Sequence, residues 1–179
     1  GTGNGTVDNC AFTNIERGGA IVVGTGVTSS TFSNNTYVGK GIGDWLDYGV
    51  ELGGGAIASI TNNNISNNVG VASVDGSTSA GILVTTTYGA GTEATITSNT
   101  LTGNTIGIAV GYDDQDTGTV TAHSNRFINN EHAMVSTAPT VDATNNWWGV
   151  PTGPATDLPN VTYSPWCSVS DCTHTATGE

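Results

Sequence analysis

The segment YVGKGIGDWLDYGVELGGG, residues 37–55, gathers most of the side chains in this chain that could act on a ligand. Asp44, Asp47 and Glu51 are carboxylates within one short stretch, and Trp45 and Tyr48 are aromatic residues beside them. Paired carboxylates can serve as acid and base, or as acid and nucleophile, around a glycosidic bond. A neighbouring aromatic ring offers a sugar a flat apolar face. This pattern makes Trp45, Tyr48 and Asp44 candidate glycan contacts, and Asp44, Asp47 and Glu51 the candidate catalytic set. The structural alternative is a loop that packs on its own scaffold.

A second cluster lies in GYDDQDTG, residues 111–118, where Asp113, Asp114 and Asp116 form an oxygen-rich turn suited to a hard cation, with calcium as the candidate. The spacing is not that of an EF-hand, and the alternative is a solvated acidic turn. No other cofactor is indicated. His123, His132 and His174 do not stand at metal-ligand spacing. No nucleophile motif or Cys/His pair is present, and no basic cluster that would neutralise a uronate is visible.

Composition narrows the partners. Fifteen acidic residues face only Arg17, Lys40 and Arg126, giving a formal net charge of −12. Phosphate backbones are bound by Lys and Arg, so nucleic acid is set aside as a partner. The apolar runs fall far short of the roughly 20 residues of a membrane helix, so no membrane insertion is expected. No basic segment followed by an apolar one opens the chain, so any secretion signal is expected to have been removed or to lie upstream. Low charge with abundant Thr, Asn and Gly suggests a secreted or cell-surface location. Cys167 and Cys172 are close enough to pair in an oxidising compartment, with two buried thiols as the alternative; Cys10 is left over.

The elements that hold these residues are short strands. Gly and β-branched residues dominate, and no long stripe of helical period appears. Similar segments recur: VDNCAFTN (7–14), VTSSTFSN (27–34), ITNNNISN (60–67), ITSNTLTG (96–103) and AHSNRFIN (122–129). Aligning them predicts one interior column of Phe12, Phe32, Ile65, Leu101 and Phe127, extended by Trp147, at spacings of 20, 33, 36, 26 and 20 residues. Two residues before each stand Cys10, Ser30, Asn63, Asn99, Asn125 and Asn145. Two residues after stand Asn14, Asn34, Asn67, Gly103, Asn129 and Gly149.

Such repetition with a short minimum period fits a coil of constant girth, each turn holding about three strands. The remaining two sides are expected at 20–23, 81–84, 106–110 and 132–135, and around Val7, Val27, Ile60, Ile96, Val120 and Val141. Asn at corners tolerates left-handed backbone and can bond the Asn of the next coil. The outward neighbours of the last series form a Thr-rich face: Thr6/Asp8, Gly26/Thr28, Ser59/Thr61, Thr95/Thr97, Thr119/Thr121 and Thr140/Asp142.

These rungs, followed by NNWWGVPTGP (145–154) and VTYSPWC (161–167), resemble the right-handed parallel β-helix repeat family of secreted and cell-surface proteins. The resemblance implies an all-β solenoid of about six coils, with loops at 37–55 and 69–93. It also implies β-helix coils over 1–144 and a C-terminal cap over 145–179. A solenoid's last coil exposes strand edge and apolar interior, which terminal repeats must cover. All five prolines and three of the four tryptophans lie in the final 41 residues, so Trp147, Trp148 and Trp166 are the expected plug.

The first rung begins almost at the first residue. Its edge is expected to meet further residues of a longer protein, or another copy. The leading functional expectation is an extracellular structural or adhesive module, a surface stalk or filament component that contacts polysaccharide. A glycan-active hydrolase or lyase fragment is the alternative, and ice binding through the Thr-rich face is the second.

Overall fold

Val, Ile and Thr alternate with polar residues in every repeat, and in the computed structural model these segments become the rungs of a parallel β-solenoid. The structure describes residues 3–137 and 139–178. Sheet A stacks seven strands: Thr6–Asp8, Ser30–Ser33, Ile57–Thr61, Glu93–Thr97, Thr119–His123, Val141–Asp142 and Val161–Thr162. Sheet B stacks five: Ala11–Ile15, Thr36–Gly39, Asn64–Ser66, Thr100–Thr102 and Arg126–Ile128. Sheet C stacks five more: Arg17–Val23, Asp47–Gly53, Ala80–Val84, Ile106–Val110 and His132–Ser136. Every pairing in these three sheets is parallel; five coils contribute one strand to each wall, and sheet A carries two further strands, Val141–Asp142 and Val161–Thr162.

The interior columns differ from the sequence alignment by one step. Sheet B lines up Phe12, Tyr37, Ile65, Leu101 and Phe127, whereas Phe32 belongs to sheet A, between Val7 and Ile60. Val27 lies in the turn before its strand, and Val120 and Val141 share the neighbouring column with Ala94. The cause is a spacing ambiguity. Val7/Phe12, Ile60/Ile65 and Ile96/Leu101 are five residues apart, but so are both Val27/Phe32 and Phe32/Tyr37.

Asparagine resolves that ambiguity. Buried Asn35, Asn63, Asn99, Asn125 and Asn146 stack at the corner between sheets A and B. The Oδ1 of Asn99 accepts the backbone N–H of Asn63 at 2.9 Å and its Nδ2 at 2.8 Å, and the same double bond recurs down the ladder. Each Nδ2 also donates to a carbonyl of the neighbouring coil: Val7, Phe32, Ile60, Ile96 or Ala122. Counted along this ladder from Cys10, whose N–H starts it, the coils contain 25, 28, 36, 26 and 21 residues.

The last member is therefore Asn146, with Trp148 inward two residues later, while Asn145 and Trp147 stand one position off the buried columns. Asn145 instead joins Asn9, Asn34, Asn62, Ser98 and Ser124 at φ of 53° to 59°, the left-handed turn that precedes each ladder residue. The opposite corner repeats the device with Asn14, Asn67, Gly103, Asn129 and Gly149, all at positive φ, and a shorter ladder of Asn68, Asn104 and Asn130.

Residues 37–55 are not an inserted loop. Tyr37 is buried in sheet B, and Asp47–Gly53 is buried along its whole length in sheet C, leaving 40–46 and the turn at 54–55 outside the walls. Asp47 is enclosed at the corner of this coil, where Tyr37 Oη donates to Oδ1 at 2.5 Å and the Lys40 N–H to Oδ2 at 3.0 Å. It supplies the acceptor that Asn104 gives to the N–H of Asn68. Burial pushes its carboxyl above the ordinary range. Residues 69–93 likewise contain the wall strand Ala80–Val84.

Sheet C also contains a column of Gly19, Gly49, Gly81 and Gly107. A Cβ on Gly81 would lie 2.8 Å from the carbonyl oxygen of Gly107 and 2.9 Å from Leu101 Cδ2, so the large side chains of sheet B fill this space. Past the last coil, Trp148 stacks on Phe127 at 4.8 Å, Tyr163 meets Trp148 edge-on, and Trp166 lies against Tyr163. Trp166 Nε1 donates to the carbonyl of Pro151, and Cys167 pairs with Cys172 in a disulfide beside it.

Two predictions concern stability. Gly81→Ala overpacks the wall and lowers stability by about 1–3 kcal/mol in urea unfolding. Gly118→Ala, whose added carbon would meet its neighbours at an ordinary 3.8 Å, leaves stability nearly unchanged. Asp47→Asn is expected to raise the melting temperature at pH 7. The amide can donate to Tyr37 Oη, whose proton turns to the Ile15 carbonyl, while Oδ1 keeps the Lys40 N–H. Because the folded-state pKa of Asp47 is raised, its protonated form is the one the fold favours, and the wild type gains stability as pH falls through that value. The advantage of Asn therefore shrinks on acidification, which melting curves from pH 7 down to pH 4 would check.

Candidate functional site

The outer face of sheet C holds a cleft because two loops stand off from it. Register sets Glu51, Leu83, Ala109 and Val135 side by side on successive coils, with Tyr48, Ala80 and Ile106 in the next outward column. Tyr48, Ala80, Leu83 and Ala109 form an apolar floor on the outside of the wall, distinct from the interior core.

One rim is the turn through Asp75 and Ser77, closed by a bridge between Val71 and Thr78. Asp44 holds that turn in place: its carboxylate accepts the N–H of Ser73 at 2.6 Å and its hydroxyl at 2.7 Å, which keeps it below the usual carboxylate range. The other rim comprises Thr85, Thr87, Tyr88 and Tyr112. Asp116 ties it together, accepting Thr85 Oγ1 at 2.7 Å, Thr86 N at 2.6 Å, Thr86 Oγ1 at 2.7 Å and Tyr112 N at 2.9 Å. Burial alone would raise the Asp116 carboxyl, and these bonds outweigh it.

Within the cleft, Glu51 is only 2% exposed and its Oε2 has no hydrogen-bond partner. The nearest cation is Arg17, with Nη2 3.7 Å from that oxygen and its guanidinium 5.7 Å from the Tyr48 ring centre. Burial pushes the Tyr48 phenol up to about 12, with the charge of Glu51 adding to it, and the same charge raises Tyr88. Tyr88 and Tyr112 are 57% and 55% exposed, an uncommon display of large rings in this chain. The space around Glu51 measures about 300 Å³. It continues past Tyr48, Asp75, Leu83 and Tyr112 into a further 370 Å³ or so bounded by Ile106, Ala109, Val135 and Thr137. Together they make a groove that crosses the strands of sheet C and runs along the solenoid axis, within the size range of ligand clefts.

Of the residues singled out by sequence, Glu51 and Tyr48 line this groove. Asp44 and Asp116 position its rims, and Asp47 lies beneath the wall. Trp45 folds back on its own loop, packed on Gly43, with Nε1 donating to the Gly41 carbonyl and Lys40 Nζ 4.3 Å from its ring centre. Asp113 and Asp114 bond Gln115 rather than a shared centre, and among the described residues no three His, Cys, Asp or Glu side chains converge on a metal position. Asp44, Asp47 and Glu51 thus do not form one catalytic set.

Sequence reasoning missed Arg17, Asp75, Leu83, Tyr88 and Tyr112. The available signal was a tyrosine in each of two turns, TTTYGAG and GYDDQD, that follow sheet C strands of successive coils.

The Thr-rich face is sheet A. Its outward rows run Thr6, Thr31, Ser59, Thr95, Thr121, Asp142, Thr162 and Asp8, Ser33, Thr61, Thr97, His123, so Thr31 and Ser33 replace the expected Gly26 and Thr28, and Thr121 and Asp142 take the row expected for Thr119 and Thr140. Several of these groups are spent on each other. Thr61 bonds Thr97 at 3.1 Å, Ser33 donates to Asp8 at 2.7 Å, and His123 lies 3.0 Å from Asp142. The face is partly self-satisfied, whereas sheet C offers a concavity with a buried oxygen that accepts no hydrogen bond.

No curated protein and no solved structure matches the chain. A family model described as the right-handed beta helix region matches residues 1–147, most of the chain and every coil from the first ladder position to the last, and the protein belongs to that right-handed β-helix family.

Proposed function

We propose that this β-helix is a secreted or cell-surface adhesive module that holds a glycan chain lengthwise in the groove on sheet C. The observation that carries this reading is the pairing of two exposed rings, Tyr88 and Tyr112, with the buried carboxylate of Glu51, whose Oε2 is ion-paired to Arg17 but accepts no hydrogen bond, in one continuous cleft. Flat rings on neighbouring coils suit the apolar faces of successive sugars, and Glu51, Asp75 and Ser77 line the same groove with carboxylates and a hydroxyl for their edges. Crossing five strands gives the groove a length of about 19 Å, which suits an extended polymer better than a compact metabolite.

Adhesion is favoured over cleavage because Asp44 and Asp47 are spent on holding the scaffold, and Asp75, the other carboxylate beside Glu51 in the groove, accepts the Ser77 N–H within its own turn. Any partner copy or neighbouring domain would engage the module outside this face.

Tyr112→Ala and Tyr88→Ala are each expected to weaken binding of a retained polysaccharide roughly ten-fold, with unaltered melting temperature for Tyr112→Ala and a small loss for Tyr88→Ala, whose ring packs on Gly53. Affinity electrophoresis against a panel of soluble polysaccharides, combined with a reducing-end assay, provides the check. Full retention by the double variant would sink the groove as the binding site, and release of reducing ends that depends on Glu51 would replace adhesion with hydrolysis.

A further inference from the structure

Accepting the glycan groove just described, we infer that it selects sugars bearing a free primary amine over neutral and uronate-bearing chains, with the ammonium seated between Glu51 and the rings of Tyr48 and Tyr88. Three observations converge on this position. Glu51 Oε2 is buried and accepts no hydrogen bond, so the group that completes it must be a donor. Aromatic rings flank that carboxylate, a combination that attracts cations through both the ring faces and the charge. The protein's own cation, Arg17, already lies over Tyr48 and faces Glu51, but at 3.7 Å it stops short of a hydrogen bond, and its side chain is half exposed. Arg17 therefore marks a cation position and pairs with Glu51 there without supplying the missing hydrogen bond.

The charge of the groove points the same way. Its ionisable lining consists of Glu51 and Asp75 against Arg17, in a chain whose formal net charge is −12. A uronate entering here would meet two carboxylates and one partly neutralised guanidinium. An ammonium would gain from both carboxylates and displace only a loosely held side chain. In this binding no bond is made or broken.

The test is calorimetric titration of the full chain with three oligosaccharides of equal length: a glucosamine oligomer, its N-acetylated counterpart and an oligogalacturonate, near pH 6, where the amine is protonated. The expected result is that the amine oligomer binds roughly ten-fold tighter than the acetylated one, with the uronate weakest. Raising the salt concentration narrows the gap, and Glu51→Gln brings the first two affinities together. Should Glu51→Gln fail to fold, Asp75→Asn, on an exposed turn, is expected to narrow the gap in the same direction. Equal affinities for the amine and acetylated oligomers, or tightest binding of the uronate, would overturn amine selectivity while leaving the groove as a glycan site. Absence of binding to all three, and to the wider polysaccharide panel, would overturn the glycan reading itself and this inference with it.

Discussion

From Asn63 to Asn146, the carboxamide of each ladder Asn receives two N–H groups from the Asn of the preceding coil and returns one to a carbonyl of that coil. A parallel coil must reverse direction in two or three residues, and at that corner the strand ladder cannot satisfy the backbone. The amide fills the gap with the donor and acceptor geometry of another peptide group. Because every member bonds the next in the same way, the ladder fixes which residue of each coil lies above which. The apolar columns of sheets A and B, the glycine column of sheet C and the outward rows all inherit that register. A one-residue slip would turn every strand inside out.

That dependence explains what could be read from sequence and what could not. The large apolar residue two positions after each Asn is visible for Ile65, Leu101 and Phe127, and the series Asn14, Asn67, Gly103, Asn129 and Gly149 shares one corner as aligned, whereas Asn34 belongs to the other corner with Asn9 and Asn62. Phe32 misled because the columns of adjacent sheets are offset by five residues, so two aromatic residues five apart satisfy the pattern in either assignment. The doublets Asn145–Asn146 and Trp147–Trp148 posed the same problem with a one-residue ambiguity.

The second coil was hidden for a different reason. Asp47 and Glu51 are carboxylates, and Gly49 and Gly53 are strand breakers, so Asp47–Gly53 carries the composition of a loop. Its burial comes from tertiary packing: an acceptor demanded by the Lys40 N–H, space taken by neighbouring large side chains, and rims that overhang Glu51. None of these is local in sequence. The groove was likewise legible only in parts, since Arg17, Glu51, Asp75, Tyr88 and Tyr112 lie on four coils and meet only after stacking.

Because each turn touches only its immediate neighbours, the solenoid can tolerate a copy number that varies. A duplicated segment running from one ladder Asn to the residue before the next would present the same amide donors below and the same acceptors above, and so would slot in without a new joint. Each such insertion would extend the walls by about 4.8 Å and add another floor position beside Leu83 and Ala109. The length of the groove could then be tuned in whole-turn increments by gene duplication, with the closing aromatic stack untouched.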